Sequence, residues 1–226
     1  MIPYYHSLSP DAISDTELDF LLAHGWYRMH QTMFTSSHLY LEESYRVHWL
    51  RYPVAEIKSH TSHRRIRNRS KAFRYVIENV NTIPANHEVL YAVYRESIDF
   101  DGAYSIHHSL FGEEDTGKNI FKTKCISVFD QDRLIAGGYF DVGATSAASI
   151  LHFSDPLYKS YSLGKYLMLL TADFLKSANY KYYYPGYLVA GKEKMNYKLF
   201  IGKEVTEYFD PETISWKCFQ ENILVV

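Results

Sequence analysis

The stretch from Phe121 to Tyr184 constrains the fold more than any other. Phe121–Phe129 and Leu134–Val142 are runs rich in β-branched and aromatic residues, joined by Asp130-Gln131-Asp132, the pattern of a β-hairpin. Ala147–Phe153 reads as a third strand. Ser162 then precedes Leu163, Leu167, Leu170, Phe174 and Leu175, whose spacing places them on the inward face of a strong helix that Ser162 caps. Tyr180–Tyr184 is a short strand, broken at Pro185-Gly186. Antiparallel strands, then a helix, then another strand is an α+β order.

The first half carries weaker signals. Ser14 and Glu17 form a capping box before Leu18, Leu21 and Leu22, and Gly25 is a natural helix stop. Met33–Leu41 reads as a strand, and Tyr45–Ile57 as extended with Pro53 at an edge or in a loop. From Ser62 a helical period puts Ile66, Phe73, Ile77 and Val80 on one face. Asn86 is placed to cap a further helix with Val89, Leu90, Val93 and Tyr94 as its apolar positions. The polar stretch Phe100–Asn119 suits a boundary or a mobile loop. The expected division is therefore an N-terminal α+β region with a basic helix over 1–100 and a second domain over 101–226. Met195–Phe200 reads as helical or irregular, with Val205–Phe209 and Trp216–Phe219 as closing strands.

Composition removes several classes of function. With 226 residues the chain can bury a proper core, and a net charge of −2 argues against a bulk polyanion binder. A nucleic-acid partner needs a local basic patch, and Arg64, Arg65, Arg67, Arg69, Lys71 and Arg74 supply one with no acid between them. The N-terminus lacks the features of a secretory signal, and no stretch is long and apolar enough for a membrane span. Cys125 and Cys218 stand far apart and read as buried free thiols in a reducing cytoplasm, which excludes a CxxC-type metal site. His60 and His63 have no further ligands at metal spacing, so no metal is expected. Aromatic residues make up 16% of the chain and 21 residues are Tyr, so packing area with a polar tip is available throughout.

The strand and helix order resembles that of GNAT-type acyltransferases, in which the helix N-terminus after the third or fourth strand faces an acyl donor. Lys159-Ser160-Tyr161-Ser162-Leu163-Gly164 stands where that fold usually has Q/R-x-x-G-x-G/A, with only the last glycine present. That argues against a coenzyme A donor, and no cofactor is expected. More specifically, Asp155-Pro156, Ser162-Leu163-Gly164-Lys165-Tyr166, Tyr182-Tyr183-Tyr184-Pro185-Gly186-Tyr187 and Lys194-Met195-Asn196-Tyr197-Lys198 resemble blocks of the arginyl-tRNA–protein transferases and their bacterial leucyl-transferring relatives. Leu21-Leu22-Ala23-His24-Gly25-Trp26, Leu50-Arg51-Tyr52-Pro53-Val54 and Ser62-His63-Arg64-Arg65 extend the resemblance to most of the chain. The cysteine cluster of the bacterial members is absent: Ser44 and Val47 stand near its positions.

The resemblance implies a cytoplasmic enzyme that transfers an amino acid of the Arg or Leu class from aminoacyl-tRNA to the α-amine of proteins beginning with Asp or Glu. The alternatives are a coenzyme-A-dependent N-acyltransferase and a non-catalytic relative that binds tRNA or acidic N-termini. Ester aminolysis needs positioning, oxyanion donors and a proton path, and no covalent nucleophile. The catalytic candidates are Tyr187, Tyr197, His152 and Asp155. Tyr187 can donate to the oxyanion or the leaving ribose oxygen, or simply pack. His152 suits proton uptake from the amine, although a strand histidine is more often structural. Asp155 reads first as a turn former before Pro156, and second as a partner for the incoming ammonium. Ser162, Gly164, Tyr184, Lys194 and Lys198 are the substrate-binding candidates, with Lys194 and Lys198 sharing a face if their segment is α-helical. Arg64, Arg65, Arg67, Arg69 and Lys71 form either a phosphate track for tRNA or an ordinary basic helix face.

Overall fold

Strand β1 (Tyr5–Leu8) leads into helix α1 (Asp15–Ala23), which starts at the capping box: Ser14 Oγ accepts from the Glu17 N–H, and the Glu17 carboxylate accepts from the Ser14 N–H at 2.8 Å. The structure is a computed structural model and describes residues 3–40, 43–99, 102–113 and 118–224. Gly25 stops α1 at φ +75°, and a Cβ there would meet the Phe209 ring at 2.5 Å.

The stretch read as one strand from Met33 is two. After β2 (Tyr27–Met29) come β3 (Thr32–Ser36) and β4 (His38–Tyr40), separated at Ser37. Ser36 Oγ donates to the His38 carbonyl at 2.6 Å, and the Ser37 carbonyl accepts from Val47, so the chain switches partners here. Leu41 lies outside the described residues. β3 joins β1 and β2 in a small sheet, while β4 pairs with the long β5 (Ser44–Pro53), which Pro53 closes.

The helix expected to run from Ser62 to Val80 stops early. Helix α2 (Thr61–Arg69) ends at Ser70, and Arg74–Asn79 forms β6, antiparallel to β7 (Thr123–Asp130). Phe73 and Ile77 still pack on the core, but Ile77 does so from a strand. The free backbone edge of β7 offers β6 a full ladder, which outweighs a sparse helical period. Helix α3 (Ala85–Glu96) buries His87, Leu90 and Tyr91, whereas Val89 and Val93 face solvent, and Pro84 rather than Asn86 occupies its cap. His87 takes an inward position because both ring nitrogens are satisfied, by Tyr139 Oη at 2.8 Å and Ser127 Oγ at 2.9 Å. The polar stretch after it contains helix α4 (Ile106–Phe111), with Ile106 and Leu110 fully buried; residues 100–101 and 114–117 lie outside the described set.

The hairpin β7 and β8 (Arg133–Val142) and strand β9 (Ser146–Ser154) match expectation. Helix α5 (Leu163–Ser177) follows, then β10 (Tyr182–Val189), β11 (Glu207–Asp210) and β12 (Ser215–Cys218). The main sheet runs β12-β11-β5-β10-β9-β8-β7-β6 with β4 on β5, and takes strands from both sides of residue 100. Successive residues of β8 go to opposite faces: Ile135 and Phe140 pack with α5, Leu134 and Tyr139 with α3 and α4. Leu163, Leu167, Leu170 and Leu175 of α5 are buried, each stabilising by about 1.5–3 kcal/mol. Both cysteines lie in strands, but only Cys125 is buried; Cys218 is exposed on the edge strand β12, which corrects the expectation for it.

Candidate active site in the fork between two strands

The strand expected to break at Pro185-Gly186 does not break; it stays on β5 and loses β9. β10 pairs in parallel with β9 over Tyr182–Ser146, Tyr183–Ala147 and Tyr184–Ala148 only. It is antiparallel to β5 on both sides of the step, at Tyr182 and Tyr183 and again from Gly186 to Val189, with a register shift between Tyr183 and Gly186. Pro185 has no N–H to offer, and Gly186 sits at φ +102°, so this step cannot continue the ladder toward β9. The remainder of β9, still bound to β8, diverges from β10. At the base of this fork Tyr183 Oη and Ser149 Oγ are 2.7 Å apart.

The segment Glu193–Ile201 packs against the fork as a 3-10 helix, and the Tyr52 hydroxyl of β5 donates to its Lys198 carbonyl. The Lys198 side chain passes over Gly186, where a Cβ would stand 3.4 Å from Cε. Lys198 is only 8% exposed. Its Nζ lies 4.8 Å from the Tyr197 ring centroid, 5.6 Å from that of Tyr187 and 3.6 Å from Met195 Sδ, and has no carboxylate partner among the described residues. Burial lowers its pKa to about 8. His152 of β9 lies against Gly138, and burial, with Lys198 nearby, lowers its pKa to about 4. Tyr187 stacks edge-on against Trp49 at 5.1 Å, with its phenol pKa raised by burial, while Tyr197 is 43% exposed. Thus Tyr187, Tyr197, Lys198 and His152 come together at the fork.

The other candidates are elsewhere. Tyr184 is buried between Tyr27 and Trp216, in the cluster against which Tyr187 packs, with Arg51 beside its hydroxyl. Asp155 is buried, with Oδ1 accepting the Leu157 N–H and Oδ2 paired to Arg133 at 2.5 Å, the arrangement of a turn former. Lys194 is exposed and pairs with Asp99 at 2.5 Å. It does not share a face with Lys198, because a 3-10 helix has three residues per turn. Ser162 stands before α5 in a left-handed conformation and its side chain makes no capping bond, contrary to expectation; the space where a Gly164 Cβ would point is open.

Arg64, Arg65, Arg67 and Arg69 all lie on α2, with Lys71 exposed just beyond. Two of them also dock the helix: Arg67 pairs with Asp173 of α5 at 2.7 Å and Arg69 donates to the Ser160 carbonyl. Arg74 lies on β6 over the Phe129 ring. Among the described residues no group of three or more His, Cys, Asp or Glu could hold a metal, and no helix is long and apolar enough to cross a membrane. Sequence reasoning quoted Tyr52 within a block but gave it no role, because its partner lies 146 residues away.

Comparison with known proteins bears on this site as a whole. Over 93 residues the chain is 33% identical to arginyl-tRNA–protein transferase 1 of Saccharomyces cerevisiae, covering 41% of this chain and 18% of that protein. Over 181 residues it is 27% identical to an aspartate/glutamate leucyltransferase of Ruegeria sp., covering 73% and 63%. The chain therefore spans less than two thirds of these curated relatives. Among solved structures, the C-terminal DUF2156 domain of an Agrobacterium fabrum protein aligns over 71% of this chain and 53% of that one, at 10% identity and a TM-score of 0.48. The family described as arginine-tRNA-protein transferase, C terminus, matches residues 58–205, which include the whole fork, and the protein belongs to that family.

Proposed function

We propose that the fork transfers an amino acid of the Arg or Leu class from aminoacyl-tRNA to the N-terminal α-amine of an acceptor that begins with Asp or Glu. The observation that carries this reading is Lys198, a nearly buried cation without a carboxylate partner among the described residues, beside a histidine that burial keeps neutral. A buried charge of this kind is costly alone and is compensated when an anion arrives. The acceptor's acidic side chain is that anion.

The reaction forms a bond from the amine nitrogen to the ester carbonyl carbon and breaks the bond from that carbon to the ribose oxygen. The nitrogen loses one proton and the departing oxygen gains one. His152, neutral above about pH 4, accepts the first. Tyr187 and Tyr197 keep their hydroxyl protons at neutral pH, and donate to the oxyanion and the leaving oxygen. The basic face of α2 supplies a sequence-independent phosphate track for the donor. The parting of β9 from β10 supports a GNAT-like reading of residues 101–226. We place the reaction in the cytoplasm, where aminoacyl-tRNA is used.

The test mixes the protein, tRNA charged with labelled amino acids, and peptides beginning with Asp, Glu or Ala, and reads the products by mass spectrometry. Addition to Asp and Glu peptides alone is expected and identifies the amino acid. Binding of tRNA without addition to any peptide would overturn the enzyme in favour of a binding module.

A further inference from the structure

The segment that carries Tyr197 and Lys198 is held by two side chains that the chemistry does not use. Nine residues is long for a 3-10 helix, and its last carbonyls need donors. Tyr52 Oη donates to the Lys198 carbonyl. From α2, His63 donates through Nε2 to the Phe200 carbonyl at 2.8 Å, and its Nδ1 accepts from the His60 N–H at 3.4 Å. A carbonyl only accepts, so Nε2 carries the hydrogen and the ring is held as one neutral tautomer. His63 is 1% exposed, and its ring lies 4.8 Å from that of Phe200. His60 pairs with Glu204 across the same joint at 2.8 Å.

We propose that His63 and Tyr52 are positioning residues for the transfer reaction, fixing the carbonyls on either side of Leu199 and so holding Lys198 and Tyr197 in the fork. The proposal rests on the transfer reading above. Because His63 belongs to α2, the helix that presents Arg64, Arg65, Arg67 and Arg69 also anchors the segment that carries Lys198. The charged and titratable groups facing His63 are His60, Arg67 and Glu204; those facing Lys198 are His152, Tyr187 and Tyr197.

Two readouts test this. One is the titration of Lys198 by NMR in protein carrying carbon-13 at lysine Cε, with the signal identified by its loss in Lys198→Met. The other is steady-state transfer. In His63→Leu the Lys198 midpoint should move from about 8 toward 10.5 as the side chain gains water. Its kcat should fall roughly tenfold or more with KM for aminoacyl-tRNA unchanged. His63→Gln, which keeps a donor at the Nε2 position, should restore both, and Tyr52→Phe should repeat the shift. A His63→Leu protein that melts earlier yet keeps the wild-type midpoint and kcat would reduce His63 to a structural role and overturn the proposal. A midpoint that moves in a protein whose wild type transfers nothing would uphold the anchoring by His63 and refute the transfer reading instead.

Discussion

The ladder β7-β8-β9 and the fork beside it are built by opposite rules. In the ladder β7 and β8 have partners on both sides along their length, apolar side chains alternate between two covered faces, and a buried polar group such as Ser127 is bonded to His87 of α3. At the fork the pairing stops after three residues, a glycine takes a left-handed conformation, and an ammonium is buried without a counter-ion among the described residues. Local and global preferences agree in the first region and conflict in the second. Conflict of that kind persists where function requires it.

The sharpest way to break this comparison is Lys198→Met. Transfer should drop by the equivalent of about 2–5 kcal/mol, as for loss of one partner of a buried charge pair, while the melting temperature at pH 7 rises because an uncompensated charge is gone. A lowered melting temperature would mean that Lys198 belongs to the core in the same sense as the ladder. Leu167→Ala should do the reverse. It should cost about 2–5 kcal/mol in urea unfolding and leave transfer per folded molecule unchanged.

Lys198 also makes the fork readable through pH. In the unfolded chain it holds its proton to about 10.5, and in the fold only to about 8. Between these values the unfolded state binds more protons, so this lysine makes stability rise with pH across the window, by on the order of 3 kcal/mol. Stability curves of wild type and Lys198→Met should therefore converge as pH rises from 8 to 10.5. Transfer to Asp peptides should weaken as pH rises through about 8, because the folded side chain loses the charge that receives the carboxylate. The smallest effect is expected at Tyr184→Phe, which removes a hydroxyl that faces Arg51. About 0.5–1.5 kcal/mol of stability should go, with transfer within twofold of wild type. A large loss of transfer there would extend the site to the Tyr184 hydroxyl.

Much of the ladder could be read from residues alone. Alternating apolar runs around Asp130-Gln131-Asp132 specify a hairpin through contacts between near neighbours, and the capping box at Ser14 is a property of four residues. The helix over Ile77 was misread because a period of a few apolar residues suits either element, and the choice fell to the free edge of β7. Within the site, family blocks pointed to Tyr187, Tyr197 and Lys198. They did not distinguish Lys198 from Lys194, which differ only in what surrounds them: one under two tyrosine rings, the other in water against Asp99.

The sequence by itself determined the alternating strands, the apolar face of α5, and the Pro185-Gly186 step that interrupts a regular ladder. These depend on spacing and on backbone chemistry carried by each residue. Only the tertiary structure decided that this step opens a fork, that Lys198 is the buried lysine, and that Tyr52 and His63 hold its segment. The hydrogen bonds from Tyr52 and His63 join residues more than a hundred positions apart, and burial and pKa depend on the whole packed surrounding, so they exist only once the sheet has brought those residues together.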